Sequence, residues 1–535
     1  MHHKKSMPPD PPSMPIPVAG MSVRLAPAVR VCDDGRLLVS TRSGTAVRLR
    51  PAVDRVLGGE HGRPSARSFE VTDPTRWVLA TALLRRDLAE PLWSPPGADL
   101  TEVAVVIPVR DRAASLARLL DALPAVAEVI VVDDGSADPD LLSRTAQARG
   151  ARVLRRGTAA GPAAARNLGL RAVRSPFVAF LDSDVVPDPQ ALGRLRRHLD
   201  DPGLAIAGAR VLALRDARSQ ASCGSADSRD GRRTAGWVAR YEEARSALDL
   251  GPDPGRVAPG SRLSYVPSAA IMARVAALGD GFDESMPVAE DVDLVWRVVD
   301  RGWGVRYCPE AIVRHDHRVR VVAWLARRRD YGTGAALLAR RHGTRVAPAR
   351  FTPTAGLLGL GLVVGGRRGA LLAAGSMATE WVGFAGGSQR TPGLATRLML
   401  ASAAATCGQL GGLITRHHWP IFAAAMLVSP RARRLVALAG CAEGVLDYAR
   451  VRPRQGVPSY LLAHRLDDAA YGWGVWLGAW RARSATALLP ALLPPLLPDG
   501  SRTSVRRTPP TEPHRRLRRW PRRPDSVGRP AVGDR

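Results

Sequence analysis

Lysine is almost missing from this chain. Lys4 and Lys5 are the only two, so nearly all of the 77 basic residues are arginine, and the formal net charge is +28. A charge of that size ordinarily points to nucleic acid or to an anionic membrane surface. Aromatic residues are only 5% of the sequence and are not interleaved with the basic ones. That excludes the usual base-stacking signature, and nucleic acid is not an expected partner. The arginine excess reads equally as a compositional bias that also enriches Ala, Gly and Pro, or as a basic surface suited to a membrane. Cysteine is scarce too: Cys32, Cys223, Cys308, Cys407 and Cys441 are scattered with no CxxC pair. This argues against a disulfide scaffold or a zinc site and suits a reducing, cytoplasmic compartment. Long apolar runs are lacking. The longest uncharged stretch, "LMLASAAATCGQLGGLIT" from Leu398 to Thr415, falls just short of the roughly 20 residues that span a bilayer. "MHHKKSMPPDPPSMPIP" carries charge but no apolar segment after it, so no secretory signal is read.

What is present divides into five parts. Residues 1–20 are rich in Pro and Met and are expected to be disordered. Residues 21–97 form a small module, in which two alternating strands flank the turn signal "DDGR" and a helical pattern follows. A second helix in "DPTRWVLATALLRRDLAEP" takes its N-cap from the region of Asp73 and Thr75. Residues 101–330 alternate continuously apolar runs ("VAVVIPV", "EVIVVDDG", "ARVLRRG", "FVAFLDSD") with helical patterns, which predicts an α/β domain built on a parallel sheet covered on both faces. Residues 331–485 are apolar but interrupted by arginine, either a packed helical region or helices that touch a membrane. "VVAWLARRRDYGTGAALLARRHG" at the junction reads as a pair of basic amphipathic helices, and residues 486–535 as a basic disordered tail.

In a sheet of this kind ligands sit beyond the carboxyl ends of the strands, so the polar residues closing each strand are the candidates. Asp133 and Asp134 close the second apolar run in "VVDDGS". By themselves they make a good turn, yet directly after "VIPVRDR" they also lie where a nucleotide base would rest. In "FVAFLDSDVVPDP" an apolar strand stops at Asp182 and a second carboxylate follows at Asp184. Two carboxylates one residue apart are a hard-oxygen site for Mg²⁺ or Mn²⁺, although a capped strand-to-helix turn accounts for the same letters. Glu290, Asp291 and Asp293 open a helix, where acidic residues also complement the macrodipole.

Taken in order, "VIPVRDR", "VVDDGS", "GPAAARNLGL", "FLDSD", "FDESMPVAEDVDLVWRVVDRGW" and "IVRHDH" resemble family 2 glycosyltransferases of the GT-A fold. The resemblance implies an α/β, Rossmann-like nucleotide-diphospho-sugar transferase core carrying a small N-terminal α+β module and an α-helical apolar C-terminal region. It assigns Pro108, Asp133, Asp134, Arg166, Asn167 and Asp182 to the donor nucleotide-sugar, and Asp182, Asp184 and His315 to Mn²⁺ or Mg²⁺, with His317 the competing imidazole. It makes Asp291, with Glu290 beside it, the base for the acceptor hydroxyl; a like charge next door raises a carboxylate pKa. "YVPSAAIMARVAALGDGFDE" becomes the shelf under the acceptor, while residues 215–257, rich in small and charged residues, read by composition as a mobile loop and helix. No Q-x-x-R-W follows the base, which sets the chain apart from processive cellulose-synthase types.

The whole plan also resembles the mycofactocin-biosynthesis branch of these enzymes, with the first module weakly similar to winged-helix domains that hold precursor peptides. That resemblance implies a UDP-glucose donor, an inverting reaction, a β-1,4 glucose chain and a peptide-derived acceptor, while the apolar C-terminal half points to the cytoplasmic face of the membrane. A lipid phosphate or envelope polysaccharide as acceptor, and a non-catalytic peptide-binding scaffold, stand as alternatives. The long basic tail and the serine within "LDSD" depart from the pattern.

Overall fold

A computed structural model describes residues 21–493 except 28, 33–36, 41–45, 49–66, 94–97, 215–235 and 387–391. In the first module β1 (Ser22–Leu25) lies between later strands, while β2 (Val29–Cys32), β3 (Leu37–Ser40) and β4 (Ala46–Arg48) form an antiparallel meander in which Val29 faces Ser40. β5 (Ser68–Glu70) follows, then α1 (Pro74–Arg85) and β6 (Ala89–Leu92), and both of these strands pair antiparallel with β1. Asp73 caps α1 by accepting the Arg76 amide at 2.9 Å, a bond typically contributing about 1 kcal/mol. Leu79, Leu83 and Leu84 recur at helical spacing and are buried with Val23 and Leu25. The "DDGR" turn and the first helical pattern lie outside the described residues. The module is anchored to the next domain by Asp87, which accepts the Arg256 amide at 3.0 Å, and by Trp93, whose indole N–H donates to His198 at 3.1 Å.

The second domain runs β7 (Val103–Val109), α2 (Ala113–Asp121), β8 (Glu128–Asp134), α3 (Pro139–Gln147), β9 (Arg152–Arg156), α4 (Pro162–Ala172), β10 (Phe177–Leu181), β11 (Val185–Pro187), α5 (Ala191–His198), β12 (Leu204–Ala213), α6 (Trp237–Arg245), β13 (Gly255–Arg256), β14 (Ala270–Arg274), α7 (Val275–Leu278), α8 (Glu290–Asp300) and β15 (Gly304–His315). Its sheet has the order β11-β15-β12-β14-β10-β7-β8-β9, with apolar cores on both faces. The four apolar runs read as parallel strands, β7, β8, β9 and β10, are parallel to one another, and the sheet is mixed only beyond them. β14 is antiparallel to both β10 and β12, and β11 is antiparallel to β15. Strand direction leaves no trace in a fully buried run, because both faces are apolar either way. β9 is a half-exposed edge strand, as its three arginines require. The consequence for function is that β8, β10 and β15 all finish on one edge, and β14 begins there.

The helical region comprises α9 (Val321–His342), a two-residue strand β16 (Arg350–Phe351), α10 (Pro353–Val364), α11 (Gly366–Ala385), α12 (Pro392–Gly412), a π-helical turn at Leu413–His417, α13 (Trp419–Val428), α14 (Pro430–Val451), α15 (Val457–Ala482) and β17 (Ala491–Leu492), which pairs with β16. The expected helix pair at its start is one continuous helix. Its mid-helix glycine Gly332 is a contact, not a break: a Cβ there would meet the Tyr471 carbonyl oxygen at 2.1 Å, and one on Gly474 would meet the Arg329 carbonyl oxygen at 1.9 Å. Backbones this close admit no side chain, so Gly474→Leu is expected to cost at least about 1–3 kcal/mol. A thermal melt indistinguishable from the parent would refute that contact.

α10 to α14 leave many large apolar side chains in solvent, among them Leu357, Leu360, Leu371 and Leu400, with Leu427 and Val428 at 80% and 84% exposure. Among the described residues one helical stretch, Pro392–His417, is long and apolar enough to cross a membrane.

Candidate active site

Each acidic candidate arrives at the shared edge by a local rule. β8 is apolar until Asp133, which is buried; its Oδ1 accepts the Ser136 amide at 2.9 Å, and its Oδ2 has no hydrogen-bond partner among the described residues. Asp134 accepts the Ala160 and Gly161 amides at 3.0 and 2.8 Å, so fixing the start of α4, and pairs with Arg156 Nε at 3.2 Å. Pro108 is buried in β7 opposite Val132, on the same edge. Asp182 closes β10, its amide bonded to the Ala269 carbonyl at 3.0 Å, and the chain turns at once into β11. β11 pairs with β15 so that Val185 faces His315, which carries the imidazole to Asp184: His315 Nε2 stands 3.4 Å from Asp184 Oδ1.

Two arginines organise these carboxylates. Arg166 of α4 is buried and donates from Nη2 to Asp182 Oδ1 at 2.6 Å and from Nη1 to Glu290 Oε1 at 2.8 Å, with its guanidinium 5.3 Å from the Phe282 ring centroid. Burial pulls its pKa down, but the two carboxylates more than offset this and hold it charged. Arg112 reaches from the start of α2 to Asp184. Burial raises the Asp184 pKa, yet the His315 hydrogen bond and charge and the Arg112 charge prevail and hold it at about 2.

Glu290 and Asp291 begin α8 and have different surroundings. Ala289 before them has φ 63°, an unusual conformation for a residue with a Cβ and one that clusters at functional sites. Gly334 of α9 presses on this turn, a Cβ there meeting Ala289 Cβ at 2.9 Å. Glu290 is buried and neutralised by Arg166. Asp291 forms no ion pair with an arginine among the described residues; it accepts the Ser268 amide at 3.2 Å and the Val292 amide at 2.8 Å. Its pKa is pushed up to about 7, by burial first and the Glu290 charge second. Asp293, fully buried, is structural, bonded by Arg297 at 2.7 Å and His342 at 2.9 Å.

Not every predicted residue joins the cluster. Asn167 turns to the 282–284 loop: Nδ2 donates to the Phe282 carbonyl at 2.8 Å and to Glu284 at 3.0 Å, and Oδ1 accepts the Phe282 amide at 2.8 Å. Its amide is thereby spent on loop structure. His317 does not face Asp184; its Nδ1 lies 2.9 Å from His315 Nδ1, and its pKa is lowered to about 3, mainly by burial and then by the His315 and Arg328 charges. Burial draws the His315 pKa down, but Asp184 outweighs it and the net shift is upward. Arg112, Ser268 and the bridging role of Arg166 were not anticipated. All three lie in segments the sequence singles out, "VIPVRDR", "YVPSAAIMARVAALGDGFDE" and "GPAAARNLGL", but nothing in the sequence says whom each residue pairs with.

Comparison with known proteins bears on the same segments. Residues 104–235 match the model for glycosyl transferase family 2, and residues 177–427 that for glycosyl transferase family group 2. The chain is 38% identical over 492 residues to the pre-mycofactocin glycosyltransferase of Mycobacterium tuberculosis, covering 88% of this chain and 97% of the relative. The chain belongs to the pre-mycofactocin glycosyltransferase family, within family 2. Solved structures similar to this glycosyltransferase include a mannosyltransferase from Pyrobaculum calidifontis in complex with GDP-Man and Mn²⁺ (19% identity, TM-score 0.37, 70% of this chain and 90% of the other). Another is glucosyl-3-phosphoglycerate synthase from Mycobacterium tuberculosis with Mn²⁺, UDP and glucosyl-3-phosphoglycerate (22% identity, TM-score 0.31, 46% and 86%).

Proposed function

We propose that this glycosyltransferase moves a hexose, glucose from UDP-glucose, onto mycofactocin or its peptide-derived precursor with inversion, extending a β-1,4 chain. The observation that carries the pathway is the 38% identity to the pre-mycofactocin glycosyltransferase along 97% of that relative. Glucose and the β-1,4 linkage rest on the resemblance of the chain's plan to that branch. The site supports the reaction type. Asp133 Oδ2, buried without a partner among the described residues, suits an N–H of the nucleoside base. Asp184 and His315 meet at 3.4 Å, and Asp182, two residues before Asp184, closes β10 at the same sheet edge; carboxylates with an imidazole are residue types that suit Mn²⁺ or Mg²⁺. The cation, when bound, neutralises charge on the leaving diphosphate. Asp291 takes the proton of the acceptor hydroxyl as its oxygen bonds the anomeric carbon and the bond to the diphosphate oxygen breaks; one such displacement inverts the configuration.

The deciding test incubates the purified protein with UDP-glucose and, separately, a peptide-derived mycofactocin precursor or a polyprenyl phosphate, and follows hexose increments by mass spectrometry. Transfer to the precursor is the expected outcome. Sugar on the lipid phosphate alone would overturn the reading in favour of a lipid-charging enzyme.

We also infer that the enzyme works at the cytoplasmic face of a membrane. The exposed apolar side chains of α10 to α14 are interspersed with Arg367, Arg368, Arg431, Arg433 and Arg434, a composition suited to an anionic lipid surface. Cys308, Cys407 and Cys441 are unpaired, as in a reducing compartment. The protein is expected to pellet with membranes and to need detergent for release. Quantitative recovery in a detergent-free supernatant would count against it.

A further inference from the structure

We propose that His317 is a positioning residue for His315: it accepts a hydrogen bond from His315 Nδ1–H, which leaves the Nε2 lone pair of His315 bare on the side facing Asp184. This rests on the reading of His315 as a ligand of the cation.

The geometry is specific. The two ring nitrogens are 2.9 Å apart and the ring centroids 4.6 Å, with His315 Nε2 directed at Asp184 at 3.4 Å. A contact of that length between two imidazoles requires a proton on one nitrogen and a lone pair on the other. An imidazole that binds a cation through Nε2 must carry its proton on Nδ1, and some group has to accept it; in metal sites the partner is commonly a carboxylate or a carbonyl. Here the Nδ1 acceptor within reach is His317.

His317 is itself held. Its side chain is buried beside Glu242 of α6, whose Oε2 lies 3.6 Å from Nδ1, beyond hydrogen-bond distance, so Nδ1 stays free to accept from His315. Glu242 Oε1 accepts the Trp324 indole N–H at 2.7 Å and Arg328 Nη2 at 2.5 Å, and Arg328 Nε is 3.1 Å from Asp467 Oδ1 of α15. The far nitrogen of His317, Nε2, is buried with no partner among the described residues. That atom is where the ring keeps its own proton when Nδ1 acts as acceptor. The rotamer of His315 is thus set through α6, α9 and α15, so the C-terminal helices contribute to the ligand's orientation.

The test reads Mn²⁺ affinity of the full chain, from free Mn²⁺ by electron paramagnetic resonance, and not activity alone. Asparagine places an amide oxygen near the Nδ1 position of histidine; glutamine places its amide near Nε2, and leucine has no acceptor. His317→Asn is expected to keep the parent Kd, while His317→Gln and His317→Leu raise it by about 10- to 100-fold. The glutamine variant keeps the comparison available if leucine impairs folding. His315→Ala serves as the reference and should lose Mn²⁺ at least as severely. Parent-like Mn²⁺ binding by the glutamine variant, with His315→Ala defective, overturns the positioning role alone. Parent-like binding by His315→Ala overturns the ligand reading and this inference with it.

Discussion

Replacing Asp291 with asparagine is expected to lower kcat by about 10²- to 10⁴-fold, the range over which a positioned base contributes, and to leave UDP-glucose affinity unchanged. The substitution keeps the size of the side chain and an oxygen for one of the Ser268 and Val292 amides, at the loss of the other hydrogen bond. What it removes is a carboxylate whose pKa, pushed up to about 7, matches the operating pH of a base. The sign of the pH dependence follows: a base must be ionised, so parent activity should rise with pH through about 7 and fall to roughly a tenth at pH 6. The asparagine variant should lose that limb. Glu290→Gln probes a different function. Glu290 already shares the buried Arg166 with Asp182, so its loss acts through the positions of those groups. Undiminished turnover in Asp291→Asn, measured by release of UDP, would remove Asp291 from the role of base.

Chelation should be the other large effect. EDTA is expected to abolish transfer, and Mn²⁺ or Mg²⁺ to restore it, because diphosphate departure without a cation leaves charge that the nearby carboxylates would oppose. Asp184→Asn should reproduce the loss and resist rescue at metal concentrations that reactivate the parent. Asp184 is the cleaner position to change. Its ion-pair partner Arg112 is about one-third exposed and can be resolvated, whereas Asp182 neutralises a guanidinium that is almost fully buried. Removing one partner of a buried pair costs about 3–5 kcal/mol, which would mix folding with catalysis. Full activity in chelator would rule out the metal assignment.

The strand ends were legible because burial and chemistry change at the same residue. "FVAFLDSD" is apolar until it leaves the sheet, and the buried run Phe177–Leu181 stops one residue before Asp182. The start of α8 was legible for a similar reason, three acids standing ahead of an apolar helix. The direction of β14 was not, since "AIMAR" buries the same side chains whichever way it runs. The continuity of α9 was not legible either, since mid-helix glycines weaken a helix in isolation, by about 1 kcal/mol each against alanine. Only the neighbouring α15 gives Gly332 its reason. Asn167 was legible as a member of "GPAAARNLGL" but not as a loop clamp, because its partners lie 115 and 117 residues further along the chain.

Local order in the chain was therefore sufficient for the chemistry on offer: which strands exist, which carboxylates and imidazoles terminate them, and what class of ligand such groups suit. Those properties depend on neighbours a few residues away. Tertiary structure decided how the groups divide the work. Arg166 and Glu290 are 124 residues apart, and Arg112 and Asp184 are 72 apart. No local pattern encodes those pairings, yet they set each charge. The arginine that reaches Glu290 leaves Asp291 as the acid whose proton affinity is raised, and the register that sets Val185 against His315 puts an imidazole beside Asp184. Electrostatic interaction grows steeply at short range and in buried surroundings, so function among identical carboxylates is assigned by whichever partners the fold brings within a few ångströms.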